Sequence, residues 1–226
     1  ADFYKGDHPG SFSRGDHFQV NEETGDRRTS GTAASMTGIE LALSSGDEGL
    51  LQLAIDRLHC VYAMVYGFGG IPLLFMGDEL ALTNDYGFVD VPEHADDNRW
   101  LHRPAMPWTL AESRSDLGTV HGKVFSAVRH LGHTRRELPQ LHAATQTEVL
   151  VPHDPAIVLF VRRHAAGLYV GVFNISDSWR TFPGGYLRNL GLGGDSARAF
   201  EHLQGQQLAL LDEISIPPYA AWWLTA

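Results

Sequence analysis

Adjacent carboxylates recur along this 226-residue chain, at Glu22-Glu23, Asp78-Glu79 and Asp96-Asp97. Two carboxylates that act as nucleophile and acid across a sugar ring need about 5 Å between converging groups. Neighbours on an extended chain point to opposite faces, so none of the three pairs meets that need. Asp78-Glu79 is read as structural and the other two pairs as solvated loop charge; no catalytic residue is assigned. Arg99 is the better candidate for chemistry. Its guanidinium can hold a carboxylate through two parallel hydrogen bonds while offering further donors to a hydroxyl. The competing reading is a loop salt bridge to Asp96 or Asp97. Among twelve histidines, His130-x-x-His133 lacks the H-E-x-x-H form, and no cysteine or carboxylate cluster accompanies it at ligand spacing. No metal and no cofactor is expected. No G-x-S-x-G elbow, Walker loop or G-x-G-x-x-G fingerprint is present.

The elements that must carry these groups divide at about residue 146. Residues 1–46 mix glycine, proline and serine with aromatics and read as ordered loop with a short helix near 32–43. Over 47–66, Leu51, Ile55, Leu58, Tyr62 and Val65 recur at helical spacing, and Asp47 and Glu48 favour the N-terminus of that helix. Gly67, Gly69 and Gly70 stop it. Residues 71–76 are wholly apolar and read as a strand buried on both faces. A long polar excursion follows, then a second helix over about 117–136 on Val120, Val124, Val128 and Leu131, ended by Pro139. From Thr147 the period changes to two. Residues 157–163 and 168–174 flank a hairpin turn, and further strands near 197–202, 207–211, 214–216 and 219–224 complete an antiparallel domain that Trp222-Trp223 should anchor.

A 43% apolar composition supports one large or two modest cores. The net charge of −10, with no basic stripe to offset it, argues against nucleic acid and against acidic membrane surfaces. A neutral substrate fits better. No run approaches the length of about 20 apolar residues that spans a bilayer. Cys60, the single cysteine, sits in a helical apolar pattern and is expected in the core. No leader is visible at Ala1; the compartment is left open, with the cytoplasm favoured.

A resemblance joins these pieces. Gly69-Gly70-Ile71-Pro72-Leu73-Leu74-Phe75-Met76-Gly77-Asp78-Glu79 resembles the eighth barrel strand of the α-amylase superfamily, glycoside hydrolase family 13, which typically reads G-x-P-x-x-Y-x-G-D/E/Q-E. Pro9-Gly10-Ser11-Phe12-Ser13-Arg14-Gly15 and Thr24-Gly25-Asp26-Arg27-Arg28-Thr29-Ser30-Gly31-Thr32-Ala33-Ala34 are similar to the barrel insertion of amylosucrases and sucrose hydrolases. Asp96-Asp97-Asn98-Arg99-Trp100-Leu101-His102-Arg103-Pro104 is similar to their D-D-x-R-W-x-H-R-P loop.

The resemblance implies an α/β plus all-β chain. Residues 1–46 would be part of an insertion subdomain, 47–146 the last helix-strand-loop-helix units of a (β/α)8 barrel, and 147–226 a C-terminal antiparallel β-sandwich domain. It implies a retaining glucosyl transfer from sucrose to an α-1,4-glucan with release of fructose, or to water in the hydrolases, by three carboxylates upstream of Ala1. Sucrose and α-glucan are then the ligands, and the remainder of the barrel is the required partner. By the same resemblance Arg99 would close the bottom of the glucosyl pocket against an aspartate from an early barrel loop. Arg14 and Arg28 would line the acceptor channel; their alternative role is to pin the glycine-rich loop. The contrasting class is a non-catalytic glucan-binding or interaction module.

Overall fold

The computed structural model describes residues 1–226, which form two compact units. The first comprises Ala1–Leu58 and Leu74–Ser126, the second His59–Leu73 and Ala127–Ala226. In chain order the elements are α1 (Asp2–Lys5), β1 (Asp16–Phe18), β2 (Arg28–Ser30), α2 (Ala33–Met36), α3 (Ile39–Ser45), α4 (Glu48–Phe68), α5 (Trp108–Glu112) and α6 (Val120–Glu137). They continue with β3 (Thr147–Leu150), β4 (Ile157–His164), β5 (Gly167–Asn174), β6 (Arg180–Phe182), α7 (Gly184–Asn189), β7 (Arg198–Glu201), β8 (Gln206–Ala209), β9 (Ile214–Ile216) and β10 (Ala221–Thr225).

The first unit is mostly loop pinned by side chains. The expected helix near 32–43 is two short helices, α2 and α3, broken at Gly38, whose φ of 97° suits glycine. Thr32 caps α2 by accepting from Ser35 N at 3.2 Å. Asp47 caps α4 as its position suggests, accepting from Gly49 N at 2.8 Å and Leu50 N at 3.0 Å. Three single turns of 3-10 helix, Asp78–Leu80, Tyr86–Asp90 and Asn98–His102, organise the long polar excursion.

The second unit is built on a six-stranded antiparallel sheet in the order β3-β4-β5-β10-β7-β8, with a separate two-stranded ribbon, β6-β9. Side-chain alternation sends Leu159, Val161, Val170, Val172, Trp222 and Leu224 to one face, where Phe182, Leu187, Ile214 and Ile216 complete a buried cluster. Phe160, Tyr169, Phe173 and Trp223 lie on the other face and are also buried. There Phe68 of α4 meets Phe160 edge-on at 5.4 Å. Because both faces are covered, β4 and β5 read as apolar runs as much as alternations. The hairpin pairs Ile157 with Asn174 through His164 with Gly167, as the sequence pattern requires.

The carbonyls at the end of α4 and just beyond it are held from within the same unit. Arg135 donates to Tyr66 O, and to Gly70 O at 2.7 Å, while Thr147 donates to Phe68 O. Cys60 is buried on this helix and its thiol is pushed up to about 12 by that burial.

One expectation needs correction. Residues 71–76 form no strand: they lack regular structure, and Ile71 and Leu73 are 80% and 83% exposed. A strand buried on both faces needs hydrogen-bonded neighbours, and every strand pairing in this chain is antiparallel and involves other residues. These residues do not by themselves form any part of a parallel barrel sheet.

Candidate substrate-binding region

The three arginines singled out by sequence are all carried by the first unit. Arg99 sits in the 3-10 turn Asn98–His102, with Asp97 as its cap. Its Nε lies 2.7 and 3.0 Å from the two Asp97 oxygens, and Nη2 lies 2.7 Å from Oδ2. Asp97 also accepts from Arg99 N at 3.0 Å. The hydrogen bonds from Arg99 hold the Asp97 carboxyl down at about 2. The guanidinium is thus engaged by a carboxylate, and it remains exposed to solvent.

Arg28 opens β2 and is exposed, opposite Phe18 in the β1-β2 register. Arg14 is half-buried; its Nη1 donates to Ser13 O at 2.8 Å. The neighbouring Gly15 lies so close to β2 that a Cβ there would stand 2.7 Å from Ser30 O, which excludes a larger residue.

Side-chain hydrogen bonds between segments far apart in sequence join the parts that carry these arginines. Asn98 donates to Asp16 Oδ2 at 3.0 Å and also to His17 O. Ser30 Oγ donates to Asn98 O at 3.0 Å and lies 2.7 Å from His102 Nδ1. The strands β1 and β2, with Arg28, are thereby latched to the turn bearing Arg99. Buried Asn84 joins Arg14 to the same assembly, donating to Arg14 O at 2.8 Å and accepting from Thr32 N at 2.9 Å. Burial and the neighbouring Arg103 lower the His102 pKa. None of Asn84, Asn98, Ser30 and His102 stood out in the sequence as a site residue. The one available signal was the clustering of Asn98 and His102 around Arg99.

Beside the Arg99 turn lies a cavity of about 610 Å³, lined by Phe75, Phe88, Val91, His94, Trp100 and Arg103 among others. Its size is that of small-molecule sites. His94 stacks on Trp100 with centroids 3.5 Å apart at 13°, and the Arg103 guanidinium stands 5.3 Å from the Trp100 ring. Glu79 folds back to accept from Gly77 N at 2.9 Å, so its carboxylate serves its own turn, while Asp78 is buried. No group of three His, Cys, Asp or Glu residues is placed to hold a metal ion. His130 Nε2 instead lies 2.8 Å from Leu203 O, and His133 Nδ1 lies 2.8 Å from Arg136. No helix is long and apolar enough to cross a membrane.

The family model for the amylosucrase C-terminal domain matches residues 148–225. Among solved structures, an Anoxybacillus α-amylase aligns with a TM-score of 0.52 and 20% identity over 84% of this chain and 35% of that one. AmyP in complex with maltotriose aligns with a TM-score of 0.60 and 12% identity over 85% of this chain and 38% of its own. MUTB, from crystals soaked with trehalulose, aligns with a TM-score of 0.51 and 19% identity over 76% of this chain and 38% of its own. The chain therefore spans little more than a third of these structures.

Proposed function

We propose that this chain, whose residues 148–225 match the family model of amylosucrase C-terminal domains and whose fold is similar to part of the α-amylase and MUTB structures, is part of a sucrose-acting, retaining glucosyltransferase. In this reading the catalytic carboxylates belong to the barrel portion that the chain does not span, and glucosyl passes from sucrose to an α-1,4-glucan with release of fructose. A sucrose hydrolase, in which water is the acceptor, is the close variant.

The observation that carries the reading is the Asp97-Arg99 turn, latched to β1 and β2 through Asn98 and Ser30. An exposed, hydrogen-bonded guanidinium on a braced turn is a ready partner for a second carboxylate or a sugar hydroxyl. Arg99 would close the glucosyl pocket, and Arg14 and Arg28 would face the acceptor. The exposed apolar stretch Ile71, Leu73, Phe75 and Met76 supports the reading as well, since it offers the barrel remainder a surface to cover.

A second reading, a non-catalytic glucan-binding or interaction module, draws support from Trp179, which is 66% exposed on the second unit. One experiment separates the two. The native protein is isolated from its source, its intact mass is measured, and sucrose is supplied with separate readouts for glucose, fructose and insoluble glucan. A mass well above that of 226 residues, with fructose release, supports the enzyme, and glucan formation distinguishes the transferase from the hydrolase. A native mass equal to that of this chain, without turnover, overturns it.

A further inference from the structure

The outer face of the β6-β9 ribbon combines an indole with hydroxyls on a rigid mount. Thr181 and Ser215 stand directly opposite each other in the ribbon, and both are exposed. Phe182 turns inward from Thr181, as do Ile214 and Ile216 from Ser215, and all three are buried. Trp179, one residue before β6, is 66% exposed, and Glu213, one residue before β9, is exposed at the other end of the ribbon.

The mount is fixed by Asn174, which is fully buried. Its Nδ2 donates to Ser178 O and Pro217 O, each at 2.8 Å, and so ties together the residues that flank Trp179 along the chain and across the ribbon. Its Oδ1 accepts from Ser176 N at 3.0 Å and Ser176 Oγ at 2.7 Å, and Arg180 Nε donates to that same hydroxyl at 3.0 Å. Holding a large aromatic ring in solvent on so constrained a turn gives up the burial an indole ordinarily gains. It also means that little conformational entropy is lost when the ring engages a ligand.

We propose that the Trp179-Thr181-Ser215 face is a carbohydrate-binding site, with the indole stacking on the apolar face of a pyranose ring. The hydroxyls and Glu213 would meet the equatorial hydroxyls. Trp179, Thr181 and Ser215 are uncharged on a chain of net charge −10, which suits a neutral polyol and disfavours an anionic partner. The choice of an α-glucan as the polyol rests on the enzyme reading above; the site itself does not.

The test is affinity electrophoresis of the 226-residue chain through gels containing glycogen, with maltoheptaose as soluble competitor and a β-1,4-glucan as control. Retardation by glycogen is expected, with a dissociation constant raised roughly tenfold or more in Trp179→Ala, as for loss of one good aromatic contact. Thr181→Val, which keeps shape and removes the hydroxyl, should weaken retardation less. Unchanged retardation in Trp179→Ala, or none in the native chain, overturns the proposal. So does a Trp179→Ala effect confined to self-association in sedimentation, which would make the face a protein contact. Sucrose turnover by the intact protein is scored separately: glycogen retention through Trp179 without turnover removes the enzyme reading and leaves this site standing.

Discussion

The indole Nε1 of Trp223 donates to the carbonyl of Ala63 across 3.3 Å, bringing α4 against the central strand of the sheet. The approach is close enough that a Cβ on Gly67, one turn further along α4, would stand 2.6 Å from the Tyr169 hydroxyl and 3.0 Å from Trp223 Nε1. Glycine inside a helix ordinarily costs about 1 kcal/mol relative to alanine. At this site overpacking opposes the gain, because Tyr169 and Trp223 are both fully buried and cannot swing aside. Gly67→Ala is therefore expected to destabilise the chain by about 1–3 kcal/mol in urea unfolding, the usual cost of an overpacked core. A stabilised variant would show that α4 does not seat on the sheet at this distance.

Glu201 is a second buried group in the same unit. Its carboxylate accepts from Leu203 N at 2.9 Å, Trp223 N at 3.1 Å and Gln204 N at 2.8 Å. Burial raises its pKa more than these amides lower it. A raised carboxyl binds more protons folded than unfolded, so its favourable contribution is complete below the ordinary 4.5 and is lost as pH rises through its folded value. The stability of the wild type relative to Glu201→Gln should accordingly shrink from pH 4 to pH 7 in parallel thermal melts. A difference that grows with pH would mean that the amides dominate.

The β-domain was largely legible in the sequence, and the candidate site much less so. Alternation and a turn signal sufficed for β4 and β5, because each strand pairs with its neighbour in the chain. The ribbon strand β6 and helix α7 escaped notice: three residues of strand carry too little alternation, and Gly184-Gly185 opens α7 without a helical signature. In the first unit the decisive contacts join residues 68 to 82 positions apart, as in Ser30 with Asn98 and Asn98 with Asp16. A hydrogen bond between two polar side chains in loops leaves no period to read. Residues 71–76 show the opposite failure: the apolar run was plain, and no strand of this chain pairs with it.

His102 supplies a pH test of the latch. Its lowered pKa means that it binds fewer protons folded than unfolded, so its contribution is complete above the ordinary 6.5 and fades as pH falls below it. Wild type and His102→Gln should differ most near pH 8 and converge towards pH 5. Protection from hydrogen exchange at Ser30 and Asn98, taken relative to the intrinsic rate at each pH, is expected to fall in the wild type as pH approaches 5. Protection at those amides that stays constant with pH would separate His102 from the latch.

Arg99 decides between a loop salt bridge and a substrate contact. On the proposed function, if its work ends at Asp97, then Arg99→Lys and Asp97→Asn each leave sucrose turnover by the intact protein near wild type, since an exposed ion pair contributes little. If Arg99 also meets a barrel carboxylate or the glucosyl unit, a lysine cannot reproduce its bidentate geometry. Arg99→Lys should then lower kcat/KM for sucrose about ten- to a hundredfold, the worth of one or two charge-assisted hydrogen bonds. Asp97→Asn should cost far less, because it leaves the guanidinium in place and removes only its local partner. Parallel losses in both variants would instead mean that the ion pair shapes the turn, and that Arg99 reaches nothing beyond it.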